Sequence, residues 1–302
     1  MATINTNMSA NVAANSLTRN ERSMAATMER LSTGILINSA KDDAAGLAIT
    51  SKMTSQINGL NQAVRNANDA ISMIQVGEGA LKEVTNMLQR MRELAIQASS
   101  DSNTDADRTA LNNEFTQLRD EISRIAANTQ WNGTAIFAQT AAVSDKVFQV
   151  GSNASQTITV SFKNFDAGTT TNTANNSGDA TANSSFAALD VDGGSNTKNI
   201  ENLAITSRTG SNEAMFAMSA AIDAVNSQRA LLGASMSRLE FASDNLQNVA
   251  QNSAAARSRV LDADYAAETT ELARTQIIQQ AGTAMLSQAN QSQQSILALL
   301  QS

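Results

Sequence analysis

The sequence has no cysteine, no histidine and no proline among its 302 residues. Without cysteine there is no disulfide, no thiolate nucleophile and no thiolate-held metal. Without histidine the commonest general base and the commonest transition-metal ligand are both gone, which weighs against catalysis and implies no cofactor or metal. An average proline content would give about 15 in a chain this long, and proline breaks helices, so its absence fits long uninterrupted ones. Aromatic residues make up only 3% of the chain and the net charge is −7. Base-stacking platforms and a phosphate-neutralising basic stripe are therefore missing, and nucleic acid is not an expected partner. No basic start leads into an apolar stretch, so no cleavable signal is expected. The longest apolar run near the C-terminus, Ile296 to Leu300, is too short to cross a bilayer, and no membrane insertion is expected.

Charge is missing from both ends as well. The first charged side chain is Arg19 and the last is Arg274. Outside them the polar residues are Asn, Gln, Ser and Thr, while Ile4, Met8 and Val12, then Ile277, Ile278, Met285, Leu286, Leu297, Leu299 and Leu300, bring apolar side chains at helical spacing. A water-exposed helix normally carries Lys and Glu on its outer face. An amphipathic end without charge suggests a segment that packs among copies of itself, where an unpaired charge would be costly.

Between the ends, Met53, Ile57, Leu60, Val64, Ala67, Ile71 and Ile74 alternate spacings of four and three, a heptad rhythm. A break is expected at Gly77 and Gly79, after which Leu81, Val84, Leu88 and Met91 resume the phase. Ser99 to Asp107 reads as a polar turn capped by Thr104 or Asp105, followed by a helix carrying Leu111, Phe115, Leu118, Ile122 and Ile125. Trp131-Asn132-Gly133-Thr134 reads as a turn, and Val147–Val150 with Thr157–Phe162 as a β-hairpin. Asp166 to Asn199 holds too few apolar residues for its own core and is expected to be a short, partly irregular outer excursion. Met215, Met218, Ile222, Val225, Leu232, Met236, Leu239, Leu246 and Val249 form a returning seam that Arg229 and Ser243 interrupt. A continuous helix from Asn212 to Leu261 would extend about 75 Å. The expected fold is thus mainly α: a long antiparallel coiled-coil rod with both termini at one end, a small β-hairpin and a short irregular loop.

Three stretches carry a family resemblance. Leu31-Ser32-Thr33-Gly34 followed by Ile37 to Ile49, Asn226-Ser227-Gln228-Arg229-Ala230-Leu231-Leu232-Gly233-Ala234, and Ser258-Arg259-Val260-Leu261-Asp262-Ala263-Asp264-Tyr265 resemble the conserved segments of bacterial flagellins. The similarity covers about residues 1–162 and 205–302 in the same order. It implies a non-enzymatic structural subunit, exported unfolded through the flagellar type III apparatus and polymerised into the extracellular filament. Residues 1–40 and 262–302 would be inner helices, disordered in the monomer. Residues 41–165 with 205–261 would form the helical rod, its hairpin near 147–162, and 166–204 the variable outer segment. Expected partners are the chain itself, an export chaperone, the cap protein, hook-associated junction proteins and host innate-immune receptors. The residues also have a plainer role: Asp42, Asp43, Asp262 and Asp264 favour helix N-termini, and Ala44, Ala45, Gly46 and Ala48 permit close helix crossing.

Gln89, Arg90, Glu93, Leu94 and, on the adjacent helix, Glu114 resemble the flagellin stretch bound by Toll-like receptor five; a solvated helix face is the plainer account. Leu297, Leu299 and Leu300 resemble the end sensed by cytosolic immune receptors, with core packing the simpler role. Asp101, Asn103, Asp105 and Asp107 have the spacing of a calcium loop, but Ala106 and Asn112 occupy the positions that need Gly and Glu, so a capped turn is preferred. Asn132, Asn153, Asn175 and Asn183 begin glycosylation sequons that a chain rich in Asn, Ser and Thr produces by chance. A hook–filament junction protein of the same superfamily and a secreted coiled-coil effector are the competing readings.

Overall fold

The computed structural model describes residues 7–137, 143–163, 165, 189–190, 197–198, 200 and 203–301. Among them are five helices, α1 (Met8–Thr33), α2 (Ala44–Ala98), α3 (Asp105–Asn128), α4 (Arg208–Leu261) and α5 (Tyr265–Gln301). Three antiparallel strand pairs join them: β1 (Gln130–Trp131) with β2 (Thr134–Ala135), β3 (Val143–Gln149) with β4 (Thr157–Lys163), and β5 (Leu189–Asp190) with β6 (Thr197–Lys198). The fold is mainly α, as the heptad rhythm implies. The chain divides into two compact units, residues 1–58 with 250–302, and residues 59–249.

In the first unit every helix boundary has a local cause. The Asn7 side-chain oxygen accepts from Ala10 N–H at 3.0 Å and starts α1. Gly34, at φ 71°, ends it in the left-handed conformation, its N–H donating to Arg30 C=O at 2.8 Å. Asp43 accepts from the N–H groups of Ala45 and Gly46, each at 2.9 Å, at the start of α2. Asp264 does the same for Ala266 at 2.9 Å at the start of α5. Asp42 serves Ser39 instead, and Asp262 accepts from Ser258, so only one of each aspartate pair sits at a helix N-terminus. Gly46 is required by packing, because a Cβ there would collide with Asp43 and Ile37. The two breaks are stitched together. Leu36 N–H donates to Leu261 C=O at 2.7 Å and Ala263 N–H to Gly34 C=O at 3.0 Å, around an antiparallel bridge of Ile35 and Asp262.

The second unit has a conventional core. Ile74, Leu81, Leu88, Met91 and Leu94 of α2 meet Phe115 and Ile122 of α3 and Met218, Val225, Leu232 and Leu239 of α4, all buried. Ser99–Asn212 (3.1 Å) and Glu78–Arg229 (3.6 Å) set α2 and α4 antiparallel, so the Arg229 that interrupts the seam finds a carboxylate. Thr104, the expected cap, forms a reciprocal capping box with Asp107. Asn132 (φ 48°) and Gly133 (φ 76°) supply the two left-handed residues of the tight β1–β2 turn.

Two expectations need correction. α2 runs without interruption through Gly77 and Gly79. Gly77 is there for clearance: a Cβ would lie 3.3 Å from Phe162 and 3.4 Å from Phe137. Those rings pack edge-to-face, as do Phe137 and Phe165, so the hairpin is seated on α2 where the helix has no side chain. The hairpin also begins earlier than its apolar residues suggest, with Val143 opposite Lys163. Ser144, Asp145 and Lys146 hide this strand from a search for apolar alternation, yet Asp145 accepts from Ser161 across it at 2.6 Å. Most of Asp166–Asn199, read as an irregular excursion, lies outside the described residues.

Phe162 is fully buried against two rings and a helix, so Phe162→Ala should cost about 3–5 kcal/mol, and Gly77→Leu about 1–3 kcal/mol by overpacking, both measurable by urea unfolding. Acid acts elsewhere. Donors from Ser39 and Thr104, each hydroxyl first and backbone N–H second, hold the carboxyls of Asp42 and Asp107 below their ordinary 3.8. Arg124 and Arg274 hold Glu121 and Glu271 below 4.5. A depressed native value gives stability that is complete above the unfolded value and lost as pH falls through the folded one. The urea midpoint should therefore be level above about pH 5 and decline below about pH 4, and Asp42→Asn with Asp107→Asn should flatten that decline.

Candidate assembly surface

α1 and α5 pair side by side in antiparallel register. Asn7 donates to Ala289 C=O at 3.2 Å, Asn20 to Thr275 C=O at 2.7 Å, and Arg30 reaches Glu268 at 3.3 Å. These contacts fix alignment but bury little oil. The described residues of α1 that are buried are Asn20 and Thr27, and those of α5 are Glu268 and Thr275. The apolar residues face outward: Met8 and Val12 are each 61% exposed and Met285 is 67% exposed.

They converge on one feature. Met8, Val12, Leu17, Ile278, Gly282 and Met285, with Ser9, Ala13 and Ser16 between them, line an open groove of about 530 Å³ along the helix pair. No lining residue is charged. Gly282 marks the tightest crossing, since a Cβ there would lie 2.9 Å from Leu17 Cδ1. Of the ten residues expected to form an assembly core, the structure brings Met8, Val12, Ile278 and Met285 together in this groove. Ile277 is exposed outside its lining, and Leu286 is half-buried. Ile4 and the side chains of Leu297, Leu299 and Leu300 lie outside the described residues. Leu17, Ser16 and Gly282 were missed by a reading that sought large apolar side chains. A small residue aligned opposite Leu17 in the antiparallel register was the available signal.

A second exposed apolar face lies on α4 in the other unit. Phe216, Leu231 and Phe241 are each more than half exposed. Their spacings of fifteen and ten residues put them within about 80° of one another around a 3.6-residue helix. They fall beside the seam positions and so escape the heptad pattern.

The residues that resemble a receptor site divide. Arg90 donates to Glu114 at 2.8 and 2.9 Å and to Glu93 at 3.1 Å, a surface cluster linking α2 and α3, and the two carboxylates hold its guanidinium above its usual range. Gln89 is exposed beside it. Leu94 is not on this surface: it is 0% exposed and belongs to the core, because the α2 seam that carries Leu88 and Met91 continues through it. The calcium-like spacing is spent on structure, with Asp107 in the capping box and Asp101 and Asp105 on Arg108. Among the described residues no cluster of acidic side chains could hold a metal ion.

Residues 4–142 match the bacterial flagellin N-terminal helical region, and residues 215–300 match the bacterial flagellin C-terminal helical region. The chain is 42% identical over 273 residues to a flagellin of Halalkalibacterium halodurans, covering 90% of each. It is 40% identical to a flagellin of Bacillus subtilis, covering 98% of this chain and 99% of that one. A solved structure described as a flagellar hook-associated protein of Vibrio parahaemolyticus aligns with a TM-score of 0.55 at 16% identity, over 73% of this chain and all of the other. That likeness is one of fold alone.

Proposed function

Because this chain belongs to the bacterial flagellins, the self-polymerising, non-enzymatic subunits of the extracellular flagellar filament, we propose that α1 and α5 are its inner assembly helices. The observation that carries this reading is the charge-free groove. Two helices whose buried residues are mostly polar and whose apolar residues face water have little to hold them folded in isolation. Neighbouring copies supply the missing apolar contact, so residues 1–40 and 262–302 gain their stability in the filament. Residues 41–165 and 205–261 form the surrounding helical body and 166–204 the outer segment. Export of the unfolded chain through the flagellar type III apparatus, with a chaperone, and assembly beneath a cap onto junction proteins follow from the same family membership.

The exposed Arg90–Glu93–Glu114 cluster, with Gln89, is also the surface that a host receptor of the Toll-like class would meet on the monomer. Leu94 contributes from below, by holding α2 in place. Leu297, Leu299 and Leu300 serve packing first and recognition by cytosolic receptors second.

Deleting Met1–Gly34 or Asp264–Ser302 should leave a cooperatively folding protein that forms no filaments. Electron microscopy of either truncation on filament seeds checks this, and normal elongation would reject the assembly role. Arg90→Ala with Glu114→Ala should reduce receptor signalling by monomers at least about tenfold, the loss of about 1.4 kcal/mol of binding, with circular dichroism unchanged. Leu94→Ala is the wrong probe, since it opens a core cavity.

A further inference from the structure

We propose that the groove on the α1–α5 pair is the socket for the C-terminal end of α5 of a second copy. The inference rests on the assembly reading above and names its contact. The antiparallel register pairs Asn7 with Ala289 and Asn20 with Thr275. Among the described residues α1 begins at Met8, whereas α5 continues as helix from Ala289 to Gln301, about three further turns. This overhang carries Ile296, Leu297, Leu299 and Leu300 and no charge.

The socket's chemistry selects the same segment. Its lining offers no group to pair an ion, so the occupant must be uncharged and apolar. In this chain the segment after Arg274 meets both conditions, and its last apolar cluster is the densest there. A contact between two different surfaces of identical molecules is head-to-tail, and where its rotation does not close a ring it generates an open polymer. Placing residue 298 of one copy level with residue 282 of the next offsets parallel copies by sixteen residues, about 24 Å along the helix axis. In that register Ser295 of the incoming end stands beside Ser16 of the socket, and Ser302 beside Ser9.

The native chain has no cysteine, so paired substitutions report this contact without background. Full-length chains with Ser16→Cys and Ser295→Cys, or with Ser9→Cys and Ser302→Cys, are grown on wild-type seeds, oxidised and run on denaturing gels. The expected result is a ladder of cross-linked copies from each matched pair. The exchanged pairs, 16 with 302 and 9 with 295, stand about 10 Å out of register and should give none. In parallel, Leu297→Ser with Leu300→Ser should raise the critical concentration for seeded growth at least about tenfold. Filaments that grow normally with the double serine variant, or that cross-link through the exchanged pairs alone or not at all, overturn the socket. Those outcomes leave the assembly role of the helices standing, since that role fails by its own test, elongation of the truncated chains.

Discussion

The α1–α5 pair is aligned by polar contacts and left without a core of its own. Asn20 and Thr275 are buried at its centre, an amide donating to a carbonyl, while Met8, Val12, Ile277 and Met285 stand in water. Hydrogen bonds of this kind set register but add only about 1 kcal/mol each, because water competes for the same groups in the unfolded chain. The larger driving force, removal of apolar surface from water, is deferred until another copy arrives. Stability and assembly thus draw on the same surface in this part of the molecule.

The absence of charge follows from that deferral. A lysine or glutamate along the groove would improve the solubility of the free chain, but burying it against a second copy would cost several kcal/mol unless a partner ion were provided. Charges reappear where the helix pair is already satisfied within the molecule. Arg30 meets Glu268 close to the point where Gly34 and Asp262 stitch the two chain breaks together. Next to that stitch, Asp43 and Asp264 restart the helices with hydrogen bonds to backbone N–H groups, so the two breaks are held by local caps and a two-bond bridge. Arg257 adds a contact to Thr54 at 3.2 Å within the same unit.

Heptad spacing made the helices legible from sequence, and the Thr104 cap was readable because its capping residue and the acid three positions later are local signals. What could not be read was set by distant residues. Gly77 looks like a helix breaker until Phe137 and Phe162, sixty and eighty-five positions later, are seen to need the space. Leu94 looks like part of a surface motif because its neighbours Arg90 and Glu93 are exposed, yet three and four positions around a helix are enough to turn a side chain into the core. The first strand of the hairpin was shortened in the reading because Ser144, Asp145 and Lys146 pair across to polar and exposed positions. The groove was half legible: its large residues stood out, while Gly282 and Ser16 acquire meaning only from the antiparallel register that the buried asparagine defines.

That register also explains how a surface without charge can be specific. Ionic patterns fix a partner's position along a helix, and a groove lined by Met, Val, Ile, Ala and Ser has none. Shape must do this alone. The close approach of Leu17 at Gly282 fixes one point of the groove, and Met8 and Met285, unbranched and adaptable, can adjust to what fills the rest. A socket of this kind tolerates sliding by less than a helical turn and resists a full turn, because each apolar knob must then leave one depression before reaching the next. A filament subunit needs this combination: a contact firm enough to define the stacking of copies, yet built from dispersion and desolvation, which do not depend on one exact geometry, so that neighbouring copies can settle into slightly different packings without breaking.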